Sequence, residues 1–346
     1  MMPVSKSSGD GFSRRRFLAN TSALGAVPLV GLARLAGAAA PPETTKVRIL
    51  YAPAICLGPE FLAEEFLRLE GFSEVEYVPM TYGERNPSLA KGVAEGQADF
   101  TMETAAGFLP VIDAGPEIVL LTGIHAGCLE LFGGDRVRAL RDLKGKTLAI
   151  IEEGSPDQLL LSGILAYVGI NPRTEVKWLA AKTYPEMVRA FSEGKADAIL
   201  AFPPQPQELR ALKLGKVILN TTQDRPWSQY FCCMVGSRRE YVQKHPVATK
   251  RVLRAFLKAT ELCAREPERA ARLMVSKGFE PRYEIALEVL KQLPYSRWRD
   301  FDPEDTVRFL GLRLHEVGLI KSTPQKLIAQ GTDWQFLNEL KREMKA

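Results

Sequence analysis

The chain has 346 residues, 25% of them charged, and a formal net charge of +5. Lys6, Arg14, Arg15, Arg16 and Arg34, set against Asp10, put four of those five charges ahead of residue 41, so the remainder is close to neutral. That excludes a nucleic-acid partner, which needs a clustered basic face, and no basic run of that kind follows the leader.

The chain opens with Ser13-Arg14-Arg15-Arg16-Phe17-Leu18, a twin-arginine signature. A weakly apolar run follows from Thr21 to Leu35, then Gly37-Ala38-Ala39-Ala40 offers an A-x-A cleavage site. Charged start, apolar middle and small-residue end describe an export signal over residues 1–40. The run is short of the roughly 20 apolar residues a bilayer span needs. Its implication is a periplasmic protein starting near residue 41. The first cysteine is Cys56, so no lipid-modified N-terminus is expected. Residues 41–346 are long for one core and suit two lobes.

Beyond the leader, one unit is written twice. Glu95-Gly96-Gln97-Ala98-Asp99 returns as Glu193-Gly194-Lys195-Ala196-Asp197. Short apolar runs of strand length, 46–51 and 146–151, open the two copies, and 75–78 and 176–179 supply a second strand in each. Pro59 and Pro156 each stand beside an acid at a helix start, where a missing N–H costs nothing and a negative charge suits the dipole. Leu62, Phe66 and Leu69 recur at helical spacing, as do Leu161, Leu165 and Val168. Gly96 and Gly194 fall where a helix ends. Alternating strands and helices predict α/β lobes with doubly wound parallel sheet covered on both faces.

After Phe231-Cys232-Cys233-Met234-Val235 the pattern is helical, with candidate helices at 238–245, 247–265, 267–277, 281–291, 303–317 and 333–344. Too little strand remains for a third layer, so these helices are expected around the first lobe. The division is 46–125 plus 236–346 for lobe one and 126–235 for lobe two. Chain crossings near 124–130 and 231–237 would form a two-stranded hinge.

Cys56, Cys128, Cys232, Cys233 and Cys263 have no disulfide-framework spacing, and His125, His245 and His315 are far apart in sequence. No metal ligand set and no cofactor is therefore expected. Cys128 lies in the first crossing and Cys232 and Cys233 in the second. Side-by-side crossings would bring Cys128 near the roughly 4.4–6.8 Å Cα separation of a disulfide, though packed thiols are the expected state.

Asp142-Leu143-Lys144-Gly145-Lys146-Thr147, Gly154-Ser155, Gly194-Lys195-Ala196-Asp197-Ala198, Phe202-Pro203-Pro204 and Glu240-Tyr241-Val242-Gln243-Lys244-His245-Pro246 occur in an informative order. With that order and spacing, residues 46–265 resemble the ABC-importer binding proteins for nitrate, taurine and aliphatic sulfonates (SsuA-like) and the related pyrimidine-binding proteins of thiamine supply. The resemblance implies the type II periplasmic binding-protein fold, with extra C-terminal helices here. It further implies a monomeric receptor that hands a small solute to an ABC permease in the inner membrane.

In open α/β sheets, ligands sit beyond the carboxyl ends of the strands, near helix N-termini. Four loops qualify: 52–59, 103–107, 154–158 and 202–205. Their expected ligand contacts are Pro53, Gly58, Glu103, Thr104, Ala105, Gly154, Ser155, Phe202 and Gln205. Ser155 is read as offering hydroxyl and backbone N–H together, and Phe202 as covering a planar part of the solute. Glu103, Glu152, Glu153 and Asp157 crowd these loops, while the nearest bases are Arg85 and Lys182. Helix N-termini favour an anion; Glu103 favours an amino group, as a pyrimidine would offer. Sulfonate, carboxylate and nitrogen heterocycle all stay open.

No catalytic residue is expected: there is no G-x-S-x-G elbow, no P-loop, and no histidine in the four loops. Two alternatives are a thiamine-precursor enzyme, related folds of which use a histidine and a cysteine-rich motif, and a sensor reusing the fold.

Overall fold

The computed structural model describes Met1, residues 40–80 and residues 88–344. The export-signal reading, except for its two end residues, and the candidate base Arg85 lie outside the described residues. No helix among the described residues is long and apolar enough to cross a membrane.

Ten strands are described: β1 (Lys46–Tyr51), β2 (Glu74–Pro79), β3 (Phe100–Thr104), β4 (Ile118–Ala126), β5 (Glu130–Gly133), β6 (Thr147–Ile150), β7 (Lys177–Ala180), β8 (Ala198–Ala201), β9 (Lys216–Asn220) and β10 (Phe231–Arg238). They form two five-stranded sheets, ordered β2-β1-β3-β10-β4 and β7-β6-β8-β5-β9. The orders correspond strand for strand, as the repeated sequence unit requires.

The repeated pentapeptide does the same work in both sheets. Gly96 (φ +86°) and Gly194 (φ +71°) end their helices in the left-handed region, where a side chain is strained. Asp99 Oδ2 then accepts from the backbone N–H of Arg48 at 3.0 Å, and Asp197 Oδ2 from that of Thr147 at 3.0 Å. Each aspartate thereby ties the start of its strand to the first strand of its own sheet, β1 or β6.

The sheets are mixed rather than wholly parallel. β10 runs antiparallel between β3 and β4, and β5 runs antiparallel between β8 and β9. The chain crosses from one sheet to the other twice, and each crossing delivers a strand from the opposite direction. Residues 231–235, grouped with the second lobe from sequence, pair in the first sheet. The second crossing is accordingly 221–230, earlier than the sequence suggests.

The first crossing, 127–129, is pinned by Thr221. Its Oγ1 accepts from the N–H groups of Cys128 (3.1 Å) and Leu129 (2.9 Å) and donates to the Leu129 carbonyl at 2.9 Å. Gly127 makes the turn at φ +55°, and a Cβ there would meet the Thr221 carbonyl oxygen at 2.2 Å. Only glycine fits.

The C-terminal helices fall close to their predicted places. The helix Pro246–Arg265 buries Val252, Phe256, Ala259 and Cys263 at helical spacing. A helix at Pro324–Gly331 was not read from sequence. Its eight residues follow Ser322-Thr323, which looks like linker until Thr323 accepts from the Lys326 N–H.

Candidate functional site

Where the two sheets face each other, the carboxyl ends of β1, β3, β6 and β8 converge on a cavity of about 40 Å³. Ala54 and Leu57 line it from the 52–59 loop, Thr104 from β3, Ile151 and Pro156 from the loop after β6, and Phe202 from the loop after β8. All four predicted loops therefore meet at one place. They also touch directly: Ile55 donates its N–H to the Pro203 carbonyl at 3.2 Å. Around the rim, Arg282 pairs with Glu208 at 2.6 Å and Gln207 donates to Gln292 at 3.0 Å. These contacts describe closed lobes, and 40 Å³ is room for about three waters.

The predicted residues divide by what their polar atoms do. Glu103 lines the cavity, but its carboxylate is engaged by Ser88 Oγ (2.9 Å) and the N–H groups of Leu89 (3.0 Å) and Ala90 (3.1 Å). It caps the helix Leu89–Ala94 from outside, satisfying donors that have no partner within the helix. Burial pushes its carboxyl up to about 7, against the lowering effect of those three bonds. Gly107 leaves space for that carboxylate, since a Cβ would lie 2.7 Å from Glu103 Oε2. Ser155 is fully buried, and both its hydroxyl (2.5 Å) and its N–H (3.3 Å) turn to the Glu152 carbonyl. Gln205 spends its side-chain oxygen on the Phe202 N–H at 3.0 Å.

Gly58 packs away from the cavity, against Leu290, Met274 and Cys263. Pro53 and Lys182 are exposed. Gly154 turns the chain at φ +79° and donates to Gln158. Thr104 remains. Its Oγ1 is buried without a partner among the described residues, at the start of the helix Ala105–Ala114. Ala105 is the first residue of that helix and is buried. Opposite, the helix Pro156–Tyr167 begins at the same cavity and carries Asp157, whose carboxyl burial holds above the usual range. Among the described residues, no Lys or Arg lines the cavity.

One wall was not foreseen. Cys56, His125, Cys128 and Cys233 are buried, and their ligand-type atoms all lie within 4.8 Å of one another. Nothing in the spacing of these residues announces a metal-type cluster, because spacing rules find ligands that are near in sequence. These four come from the 52–59 loop, the end of β4, the first crossing and β10. A bulge explains the vicinal pair: Phe231 pairs with Ala126 but Cys233 with His125, so Cys232 is an extra residue in β10. A regular strand would send Cys232 and Cys233 to opposite faces. Here Cys232 Sγ lies 3.0 Å from Cys128 Sγ, and all five cysteines are free thiols.

The profile of the NMT1-like family matches residues 124–276. No curated protein sequence matches the chain. Among solved structures, the periplasmic nitrate-binding protein NrtA of Synechocystis PCC 6803 superposes with a TM-score of 0.71 at 14% identity, over 88% of this chain and 90% of that one. The alkanesulfonate-binding protein SsuA of Xanthomonas axonopodis pv. citri, bound to MOPS, gives 0.66 at 18% identity, over 84% and 99%. A Candida albicans gene product described as having the generic periplasmic binding protein fold gives 0.67 at 16% identity, over 83% and 96%. The chain thus has the two-lobed α/β fold of the periplasmic binding proteins, with additional helices at its C-terminal end.

Proposed function

We propose that the protein is an extracytoplasmic solute receptor of an ABC-type importer, exported by the twin-arginine signal at 1–40. It closes its lobes, one built on the sheet that contains β10 and the other on the sheet that contains β5, on one small organic solute. The observation that carries this reading is the cavity lined from both sheets at the carboxyl ends of their strands, where a ligand of such folds gathers its contacts. The nitrate- and alkanesulfonate-binding proteins that share the fold support a sulfonate or carboxylate as solute. Among the described lining residues, an anion would be held by N–H groups at the starts of the helices Ala105–Ala114 and Pro156–Tyr167, and by the Thr104 hydroxyl. Glu103, whose carboxylate is already committed to Ser88, Leu89 and Ala90, does not present that carboxylate to the solute. The apolar lining from Ala54, Leu57, Ile151 and Phe202 suits a short carbon skeleton.

The test is a thermal-shift panel of small sulfonates, carboxylates and pyrimidines on the exported protein. A specific ligand raises the melting temperature by mass action, about 2.7 kcal/mol of stabilisation at a hundred times its Kd. Silence across the panel would count against the solute classes; a response only to pyrimidines would replace the anion with a heterocycle.

A further inference from the structure

We propose that Cys56, His125, Cys128 and Cys233 form a binding site for one thiophilic metal ion, of which Zn²⁺ is the best match. The donor set is three sulfurs and one imidazole, a combination that closes tetrahedrally around zinc. The four donor atoms already lie within 4.8 Å of one another. A metal–sulfur distance of 2.3 Å sets tetrahedral edges of about 3.8 Å, so side-chain adjustments of about 1 Å complete the site.

His125 carries the independent observation. Its ring is fully buried, Nδ1 sits 2.9 Å from the Gly127 carbonyl oxygen, and Nε2 has no hydrogen-bond partner among the described residues. A neutral imidazole that donates from Nδ1 to a backbone carbonyl must present its lone pair at Nε2. That is how a metal-ligating histidine is oriented and its basicity raised. A buried nitrogen lone pair left idle is otherwise a cost without a return.

The surroundings hold this arrangement from several sides. Tyr295 packs edge-on against the His125 ring at 5.2 Å and donates its hydroxyl to the Cys56 carbonyl at 2.9 Å. It therefore fixes two of the four ligands at once. Cys232, outside the quartet, has its sulfur 3.0 Å from Cys128 Sγ, a thiol–thiol contact in which either sulfur can donate. The backbone of Cys128 is held by Thr221. Cys128 also lines a second, larger cleft of about 540 Å³ beside Glu130 and Arg210, which gives an ion a way in. Three thiols lose their protons on binding, so uptake weakens as pH falls. The site rests on this geometry alone and stands or falls independently of the solute-receptor reading.

The experiment titrates Co²⁺ into the full chain, reduced and handled without oxygen, and then displaces it with Zn²⁺. The expected result is one Co²⁺ per chain, with sulfur-to-metal charge transfer and the intense ligand-field bands of a tetrahedral site, lost on adding one equivalent of Zn²⁺. Cys233→Ser and His125→Ala should each weaken Co²⁺ binding at least tenfold. Cys263→Ser, a buried thiol outside the quartet, should leave it unchanged. Circular dichroism of each variant shows whether it folds, and the wild-type titration decides the matter if one does not. Absence of charge transfer in the folded wild type would overturn the proposal. So would binding that survives both quartet substitutions, or a Cys128–Cys232 disulfide in material isolated without reductant.

Discussion

Ile55 donates its backbone N–H to the carbonyl of Pro203 at 3.2 Å, and the two residues belong to facing loops on opposite sheets. The bond uses main-chain atoms only, so it forms only when the lobes are shut. The lobes also share apolar packing, since Leu161, Ile164 and Leu165 lie in the same buried cluster as Leu310 and Leu314, so movement on the two crossings would have to part that surface as well.

Arg282 and Glu208 form one of the rim contacts, at 2.6 Å, with side chains 44% and 35% exposed. Arg282 also holds the buried Glu280 at 2.7 Å, so the rim pair is tested from its other side: exposed pairs contribute little to folding, and Glu208→Ala should cost less than about 1 kcal/mol in denaturant unfolding. Its effect should fall on closure. Small-angle scattering of the solute-free variant should give a larger radius of gyration than wild type. An unchanged radius with unchanged stability would make the pair ornamental.

Glu103 governs a pH effect. Its folded value, about 7, lies above the ordinary 4.5. A raised carboxyl is fully compatible with folding below about 4.5, and its contribution is lost as pH rises through the folded value. Stability from this group should therefore fall between about pH 4.5 and 7, by up to about 3 kcal/mol. Glu103→Gln should remove that slope. Glu103→Ala should also lose the slope, and at low pH, where the group contributes fully, should cost about 2–4 kcal/mol because Ser88, Leu89 and Ala90 lose their acceptor. Urea unfolding at a series of pH values reads both variants.

Gly127 and Gly145 both have positive φ, at +55° and +76°, but differ in space. A Cβ on Gly127 meets the Thr221 carbonyl oxygen at 2.2 Å, whereas nothing lies within 4 Å at Gly145. Gly145→Ala should cost about 1 kcal/mol, the strain of the backbone conformation alone. Gly127→Ala should cost several times more, about 3 kcal/mol or above, because main chain must move. Equal losses in denaturant unfolding would mean that the crossing is not tight.

These contrasts mark what was legible in the chain. Gly96 and Gly194 announced helix ends because a left-handed turn needs glycine, whereas the work of the aspartates that follow appears only once Arg48 and Thr147 are placed beside them. Local rules of that kind carry the elements and their order. They do not carry pairing direction, so the antiparallel β5 and β10 were hidden. The four loops were found because the ends of strands can be counted. Which atoms within them are free was not, since Ser155 and Glu103 look available until their partners, Glu152 and Ser88, are placed in space. The sulfur and imidazole cluster was hidden for a further reason. It depends on a one-residue bulge at Cys232 and on the meeting of separate chain segments.

Ser155 illustrates the practical consequence. A Ser155→Trp substitution would be a natural way to block the cleft if the residue stood open. It is fully buried and doubly bonded to Glu152, so the bulky side chain should lower the melting temperature sharply and report nothing on binding. A melt within a few degrees of wild type would show that the loop can yield.

Thr104 gives the direct test of solute capture between the lobes. Its hydroxyl oxygen is buried and unpartnered among the described residues, so Thr104→Val removes a polar group that the fold does not use. The deciding measurement is calorimetric titration of wild type and Thr104→Val, side by side, with the most stabilising solute of the panel. The expected result is one solute per chain, affinity weakened about five- to tenfold by loss of one hydrogen bond, and a melting temperature for the free variant equal to or above that of wild type. Identical affinity in both proteins, with the variant folded, would contradict it.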